Sequence, residues 1–278
     1  MKTQVHLGLS TCPNDTFLIH GLTSGAVATR GLDIQIDFAD VQELNEGLLE
    51  GRFDACKASY ALALSLGADL CALNVGSALG FGVGPVLLAR AGWKADDANP
   101  RILCPGAQTT ATLLLRLFHP EWSEPSQVIF SEIMPALIAG QADLGVCIHE
   151  GRFTFAEHGL TCLEDLGQTW EQASGHPLPL GGIFARRKLD SETTLTLQAV
   201  LADSLAFGLA HRDQTVPTMA KHAQEFSTEV LMQHVDLYVN PWTQDLGAQG
   251  RAAIADLDGH ARAAGLIPAS LPPLTFAM

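Results

Sequence analysis

His149 follows the apolar run Leu144-Gly145-Val146-Cys147-Ile148 and is itself followed by Glu150. An imidazole is the side chain best suited to exchanging a proton near neutral pH. The carboxyl end of a buried strand is also where an open α/β sheet places its ligands. A purely structural histidine is the alternative, and position alone does not decide between the two. Lys57 ends a second apolar segment, Phe53–Cys56, so its ammonium can pair with a carboxylate or snorkel at a sheet edge. Ser59 and Tyr60 come directly after Lys57 and Ala58. Two polar turns each separate a strand-like segment from a helix-like one. The first holds Ser10, Thr11, Asn14, Asp15 and Thr16, and the second holds Thr109 and Thr110 ahead of Ala111. Backbone N–H groups at a helix N-terminus, flanked by short hydroxyls, suit an anion such as a carboxylate. The same residue types also serve as plain N-caps.

Other chemistries find little support. No Walker motif, G-x-S-x-G or H-E-x-x-H occurs, and His149-Glu150 has no second histidine at Phe153. Gly80-Phe81-Gly82-Val83-Gly84-Pro85 is not G-x-G-x-x-G and leads into a strand, so it reads as a flexible turn. The 10 histidines are scattered without metal spacing, and the 6 cysteines form no C-x-x-C pair. The expectation is no metal, no bound cofactor and buried, reduced thiols.

These groups must be positioned by a folded core. Of 278 residues, 47% are hydrophobic and 17% charged, which excludes a disordered chain. The 30 acidic against 16 basic side chains, a net charge of -14, exclude the basic footprint of a nucleic-acid binder. No run of about eighteen apolar residues occurs, so no membrane span is expected. The opening Met1-Lys2-Thr3-Gln4 lacks an apolar targeting segment, which points to a cytoplasmic protein. The expected partner is a small anionic substrate, and the chain is expected to be a monomer or homodimer.

The first half contains a repeat. Residues 48–57 (LLEGRFDACK) and 137–146 (LIAGQADLGV) share the form apolar-apolar-x-Gly-x-x-Asp followed by an apolar run. This is a helix end, a glycine C-cap, a turn and a strand. Upstream, Leu32–Phe38 alternates with period two and has the shorter counterpart 127–130, each leading into a helix. Farther upstream, Val5–Leu9 and Arg101–Cys104 each run into one of the polar turns above. Each copy therefore reads as a βαβαβ unit, with mostly parallel pairing. Val86–Arg90 reads as a strand leaving the first lobe and Leu180–Arg186 as one returning. Helices are expected over Leu195–His211, from Ser227 to Asn240, and over Arg251–Ala264. The resulting fold class is α/β, a two-lobed type II periplasmic-binding-protein-like fold with two mixed, mostly parallel sheets and a cleft between lobes. Lobe one takes residues 1–88 and 187–278, lobe two takes 89–186, and the two crossing strands form the hinge. Four strand-end loops, at Ser10–Thr16, Lys57–Tyr60, Gln108–Ala111 and Cys147–Glu150, should then face the cleft.

Several stretches carry a resemblance that covers essentially the whole chain. They are Cys12-Pro13-Asn14-Asp15-Thr16-Phe17, Lys57-Ala58-Ser59-Tyr60, Gly82-Val83-Gly84-Pro85, Ile148-His149-Glu150-Gly151-Arg152-Phe153-Thr154 and Pro177-Leu178-Pro179-Leu180-Gly181-Gly182. With them the sequence resembles the 1,4-dihydroxy-6-naphthoate synthase family of the futalosine route to menaquinone. The resemblance implies a cofactor-independent lyase that converts cyclic dehypoxanthinyl futalosine to 1,4-dihydroxy-6-naphthoate and dihydroxyacetone. It places the proton acceptor on His149 and substrate contacts on Lys57, Ala58, Ser59, Thr109, Thr110 and Ala111; Ser10, Asn14 and Asp15 join them from the first turn. Thr11 stands where the family has proline, Gly151 where it has serine, and Phe81 where a polar residue is common on the expected cleft wall. Chorismate dehydratase, a sister enzyme of the same fold, and a non-catalytic small-anion solute-binding protein are the rival readings. The Ile-His-Glu stretch argues against the first and His149 against the second.

Removing the imidazole tests the role the resemblance implies. His149→Asn keeps size and hydrogen bonding but loses the base, so turnover should fall at least about a hundredfold, while substrate binding survives. Turnover within a few fold of the parent would move the role to Glu150 or Asp15.

Overall fold

Each copy of the repeat folds as one βαβαβ unit, and the aspartate that ends its motif explains why the pattern recurs. The computed structural model describes residues 2–94, 99–148, 151–223 and 227–278; His149 and Glu150 lie outside the described residues. The first copy comprises β1 (Thr3–Ser10), α1 (Pro13–Thr23), β2 (Leu32–Ala39), α2 (Val41–Glu50) and β3 (Ala55–Ser59). After it come α3 (Tyr60–Leu66), β4 (Leu70–Ala72), β5 (Ala78–Gly80) and β6 (Val86–Ala89). The second copy comprises β7 (Ile102–Cys104), α4 (Thr110–Phe118), β8 (Ser126–Gln127), α5 (Phe130–Ile138) and β9 (Leu144–Cys147). The chain continues through α6 (Gly151–Thr154), β10 (Thr161–Asp165), α7 (Leu166–Ser174) and β11 (Leu178–Arg186). It closes with α8 (Ser191–Ala210), α9 (Arg212–His222), α10 (Thr228–Tyr238), α11 (Pro241–Gln244), α12 (Gly247–Ala263) and β12 (Thr275–Phe276).

Among the described residues the strands form a seven-stranded sheet, ordered β12-β4-β11-β3-β1-β2 with β5 on β11, and a five-stranded sheet, ordered β10-β6-β9-β7-β8. In each repeat the three strands pair in parallel. A crossing strand lies antiparallel beside the third one, β11 against β3 and β6 against β9. The fold is thus α/β with two mixed sheets and two lobes related by the repeat.

The aspartates of the two motifs, Asp54 and Asp143, occupy the same position in both lobes. Asp54 accepts the backbone N–H of His6 on its carboxylate, and its own carbonyl accepts from Arg186 at the end of β11. Asp143 accepts the backbone N–H of Arg101, and its carbonyl accepts from Arg90 just after β6. One residue therefore ties the first strand, the third strand and the crossing strand of each lobe. A cation completes each site: Lys188 lies 3.0 Å from Asp54, and Arg90 lies 2.8 Å from Asp143. The glycines of the motif also behave alike, Gly51 at φ 78° and Gly140 at φ 68°, each turning the chain from helix to strand.

Three expectations need correction. Val86–Ala89 belongs to the smaller sheet and Leu178–Arg186 to the larger one, so limits at 88/89 and 186/187 fall at the far ends of those strands. The chain crosses over 81–85 and returns over 175–177. The crossings lie side by side: Leu178, directly after the return, is the register partner of Gly80, directly before the crossing. A hinge therefore belongs to these loops and not to Val86–Arg90 or Gly181–Arg186. The strand expected over 127–130 is the two-residue β8, because it sits at the sheet edge with β7 as its sole neighbour and Phe130 already begins α5.

The C-terminal helices cover the larger sheet. α8 is long and apolar enough, by length and composition, to cross a bilayer, yet here it packs against α1. There Ser204 donates to the Leu18 carbonyl at 2.6 Å and accepts from the Leu22 amide.

Hydrogen bonds from Arg101, then from Arg90, hold the Asp143 carboxyl well below the usual carboxylate range. A carboxyl depressed by folding adds stability that is present above its ordinary value of about 4 and is lost as pH falls. The melting-temperature gap between the parent and Asp143→Asn should therefore be widest near pH 7 and shrink below about pH 4. A gap unchanged down to pH 2.5 would contradict this account.

Candidate functional site

The carboxyl ends of β1, β3 and β9 and the N-terminus of α4 converge on a cleft between the lobes. From lobe one, Ser10, Cys12 and Asn14 reach it from the β1–α1 turn, and Lys57, Ala58 and Ser59 from the end of β3. From lobe two come Thr109, Thr110 and Ala111 at the start of α4, and Ile148 after β9. The crossing segments add Val83, Gly84, Pro85, Leu180 and Gly181. The structure thus brings together all the expected site residues except two. Asp15 lies beneath the cavity wall, and His149 lies outside the described residues, although its neighbour Ile148 lines the cavity.

Asp15 is 1% exposed and organises the lobe-one side. Its carboxylate accepts from the Ser10 hydroxyl at 2.6 Å, the Ser10 amide at 3.2 Å and Asn14 Nδ2 at 2.9 Å. Lys57 Nζ stands 2.8 Å from Asp15 Oδ1 and donates to the Gly76 carbonyl at 2.8 Å. Lys57, expected near a substrate carboxylate, lines the cavity with its charge matched by Asp15, and these two contacts use two of its three N–H donors. Burial, and then the charge of Asp15, push the Cys56 thiol well above its ordinary value, so it stays protonated beside this pair.

Thr109 is the N-cap of α4, donating to the Gly106 carbonyl at 2.7 Å and accepting from the Thr112 amide at 3.3 Å. Its hydroxyl does the capping work that its residue type favours. Thr110 donates its hydroxyl proton to the Leu180 carbonyl at 2.8 Å, which ties lobe two to the returning strand. That proton is not available to an anion. The backbone N–H groups of Thr110 and Ala111 have no helical acceptor in the first turn, which is the arrangement that suits an anion. Across the cleft, the Ser59 amide donates to Asn45 Oδ1 at 3.1 Å, and Asn45 Nδ2 donates to the Ser59 hydroxyl at 3.4 Å. The hydroxyl proton of Ser59 is left to face a ligand.

Phe81 does not form the cleft wall. It is 48% exposed and packs edge-on to Trp242 at 6.0 Å. Sequence reasoning also missed His234 and Tyr238, which enter the cavity from α10. Their spacing of four on a helix places them on one face, but nothing local says that this face meets residues more than two hundred positions earlier.

The family model for menaquinone biosynthesis matches residues 5–263. A Thermus thermophilus protein named 1,4-dihydroxy-6-naphthoate synthase is 40% identical over 270 residues, covering 97% of this chain and 98% of its own. A Streptomyces coelicolor protein of the same name is 38% identical over 277 residues, 96% of each chain. Among solved structures, a protein from Archaeoglobus fulgidus superposes with a TM-score of 0.89 at 30% identity, covering 95% of this chain and 98% of that one. The aliphatic sulphonate binding protein SsuA from Escherichia coli gives 0.65 at 15% identity, covering 98% and 90%. That likeness is one of fold alone.

The buried pair can be tested by breaking it from one side. Lys57→Met leaves the Asp15 carboxylate buried and uncompensated, a loss of about 3–5 kcal/mol. Adding Asp15→Asn removes the stranded charge and should recover part of that loss in urea unfolding. Equal stability of the single and double variants would show that the pair does not govern this wall.

Proposed function

The chain belongs to the menaquinone-biosynthesis family, and on that premise we propose that it is a 1,4-dihydroxy-6-naphthoate synthase. The observation that carries this reading is near full-length identity of 38–40% to two relatives of that name. The enzyme is a lyase that opens cyclic dehypoxanthinyl futalosine and releases 1,4-dihydroxy-6-naphthoate and dihydroxyacetone. The substrate carboxylate sits between the first turn of α4 and the Ser59 hydroxyl, so each lobe contributes donors to one anion. His149 takes the proton that starts ring opening, and the gain of aromaticity pulls the reaction forward. Closure of the lobes about 81–85 and 175–177 excludes water while the reactive intermediate exists.

Purified protein mixed with cyclic dehypoxanthinyl futalosine should release the dihydroxynaphthoate, read by mass spectrometry. No product from the futalosine, with turnover of chorismate instead, would replace this reading with chorismate dehydratase. A hydrogen bond to a charged group contributes about 1.5–3 kcal/mol, so Ser59→Ala should weaken product binding about tenfold or more. Unchanged affinity would remove Ser59 from the site.

A further inference from the structure

We propose that the His234–Tyr238 face of α10 is the wall that selects a flat aromatic ring in the cleft. The proposal rests on the activity reading above for the identity of the ring-bearing acid. Neither residue belongs to a repeat, and both line the cavity. The two rings lie 4.4 Å apart at an interplanar angle of 37°.

Both rings are held by partners. Asp15 Oδ1 receives Lys57 Nζ at 2.8 Å and Asn14 Nδ2 at 2.9 Å. A carboxylate only accepts, so the Asn14 amide must turn its nitrogen toward Asp15 and its oxygen the other way. That oxygen lies 3.1 Å from His234 Nε2. His234 Nε2 must therefore carry a hydrogen and donate it, which fixes the orientation of the imidazole. Tyr238 donates its hydroxyl to the Val83 carbonyl at 3.4 Å, a long contact that steers the second ring. Leu231 and Val235, on the same helix, are buried in the lobe-one core. The wall is thus set before any ligand arrives, and binding need not order it.

Among the described residues the remaining apolar lining is aliphatic, with Val41, Val83, Pro85, Ala111, Ile148 and Leu180 in it. Aliphatic groups favour a planar and a puckered ring of equal size to similar degrees. Aromatic rings add offset-stacked or edge-to-face contacts that a saturated ring cannot return. With a carboxylate fixed at α4 and Ser59, His234 and Tyr238 are the aromatic groups of the described lining that can discriminate the ring.

The test compares two unreactive acids, 2-naphthoate and its saturated counterpart decahydro-2-naphthoate, by calorimetric titration of the full chain. The parent should prefer the aromatic acid about fivefold to tenfold. In His234→Leu and in Tyr238→Leu the preference should shrink to about twofold, with affinity for the saturated acid little changed. Tyr238→Phe, which keeps the ring, should retain it. A parent without preference, or a full preference in both leucine variants, overturns the proposal. Should the leucine variants fail to fold, the parent alone decides: at saturation, nuclear Overhauser contacts must join 2-naphthoate to the Tyr238 ring, and their absence overturns it. Turnover of the futalosine is scored separately on the parent, so failure of the activity and failure of the ring preference are distinct results.

Discussion

A carboxylate and an ammonium buried together at 2.8 Å set the geometry of the lobe-one wall. Asp15 collects Ser10 from the end of β1, Asn14 from the start of α1 and Lys57 from β3. Lys57 extends the network to the Gly76 carbonyl, and Asn14 extends it to His234 on α10. Segments remote in sequence thus meet through one charge pair. In a low-dielectric interior such a network is stable only if every member is satisfied. The pair therefore specifies where the neighbouring groups stand more than it adds net stability.

The site combines symmetry with its violation. Each repeat supplies a strand-to-helix turn and a strand end, and the twin aspartates hold those strands in the same way. Yet the equivalent turns do different work. In lobe two, Thr109 caps α4 and the backbone amides of the following residues are left for an anion. In lobe one, Cys12 stands at the cap position and its side chain makes no capping hydrogen bond, and the charge pair lies beneath the turn.

The βαβαβ order and the positions of the four loops were legible in the sequence because they rest on local signals: period-two alternation, glycine C-caps and a recurring aspartate. The sheet membership of Val86–Ala89 and Leu178–Arg186 was not, since a buried strand looks alike in either sheet and pairing is a long-range property. Lys57 was legible as a cleft residue, but its partner was not, because Asp15 lies forty-two positions earlier. Thr110 was expected to donate to a ligand, and only the path of the returning strand shows that its proton goes to Leu180. The α10 wall escaped for the same reason: its helix was expected, but the surface it meets is built from the other end of the chain.

Strand β11 lies between β3 and β4 in the middle of the larger sheet, with the whole smaller lobe preceding it in the chain. On a ribosome that order has a temporal meaning. Residues of the smaller lobe emerge as one continuous stretch and can pair among themselves at once. The N-terminal strands, already synthesised, must wait with one edge of β3 unpaired until β11 follows them out. The larger lobe closes last, so the nascent chain passes through a stage in which its earliest strands are its most exposed.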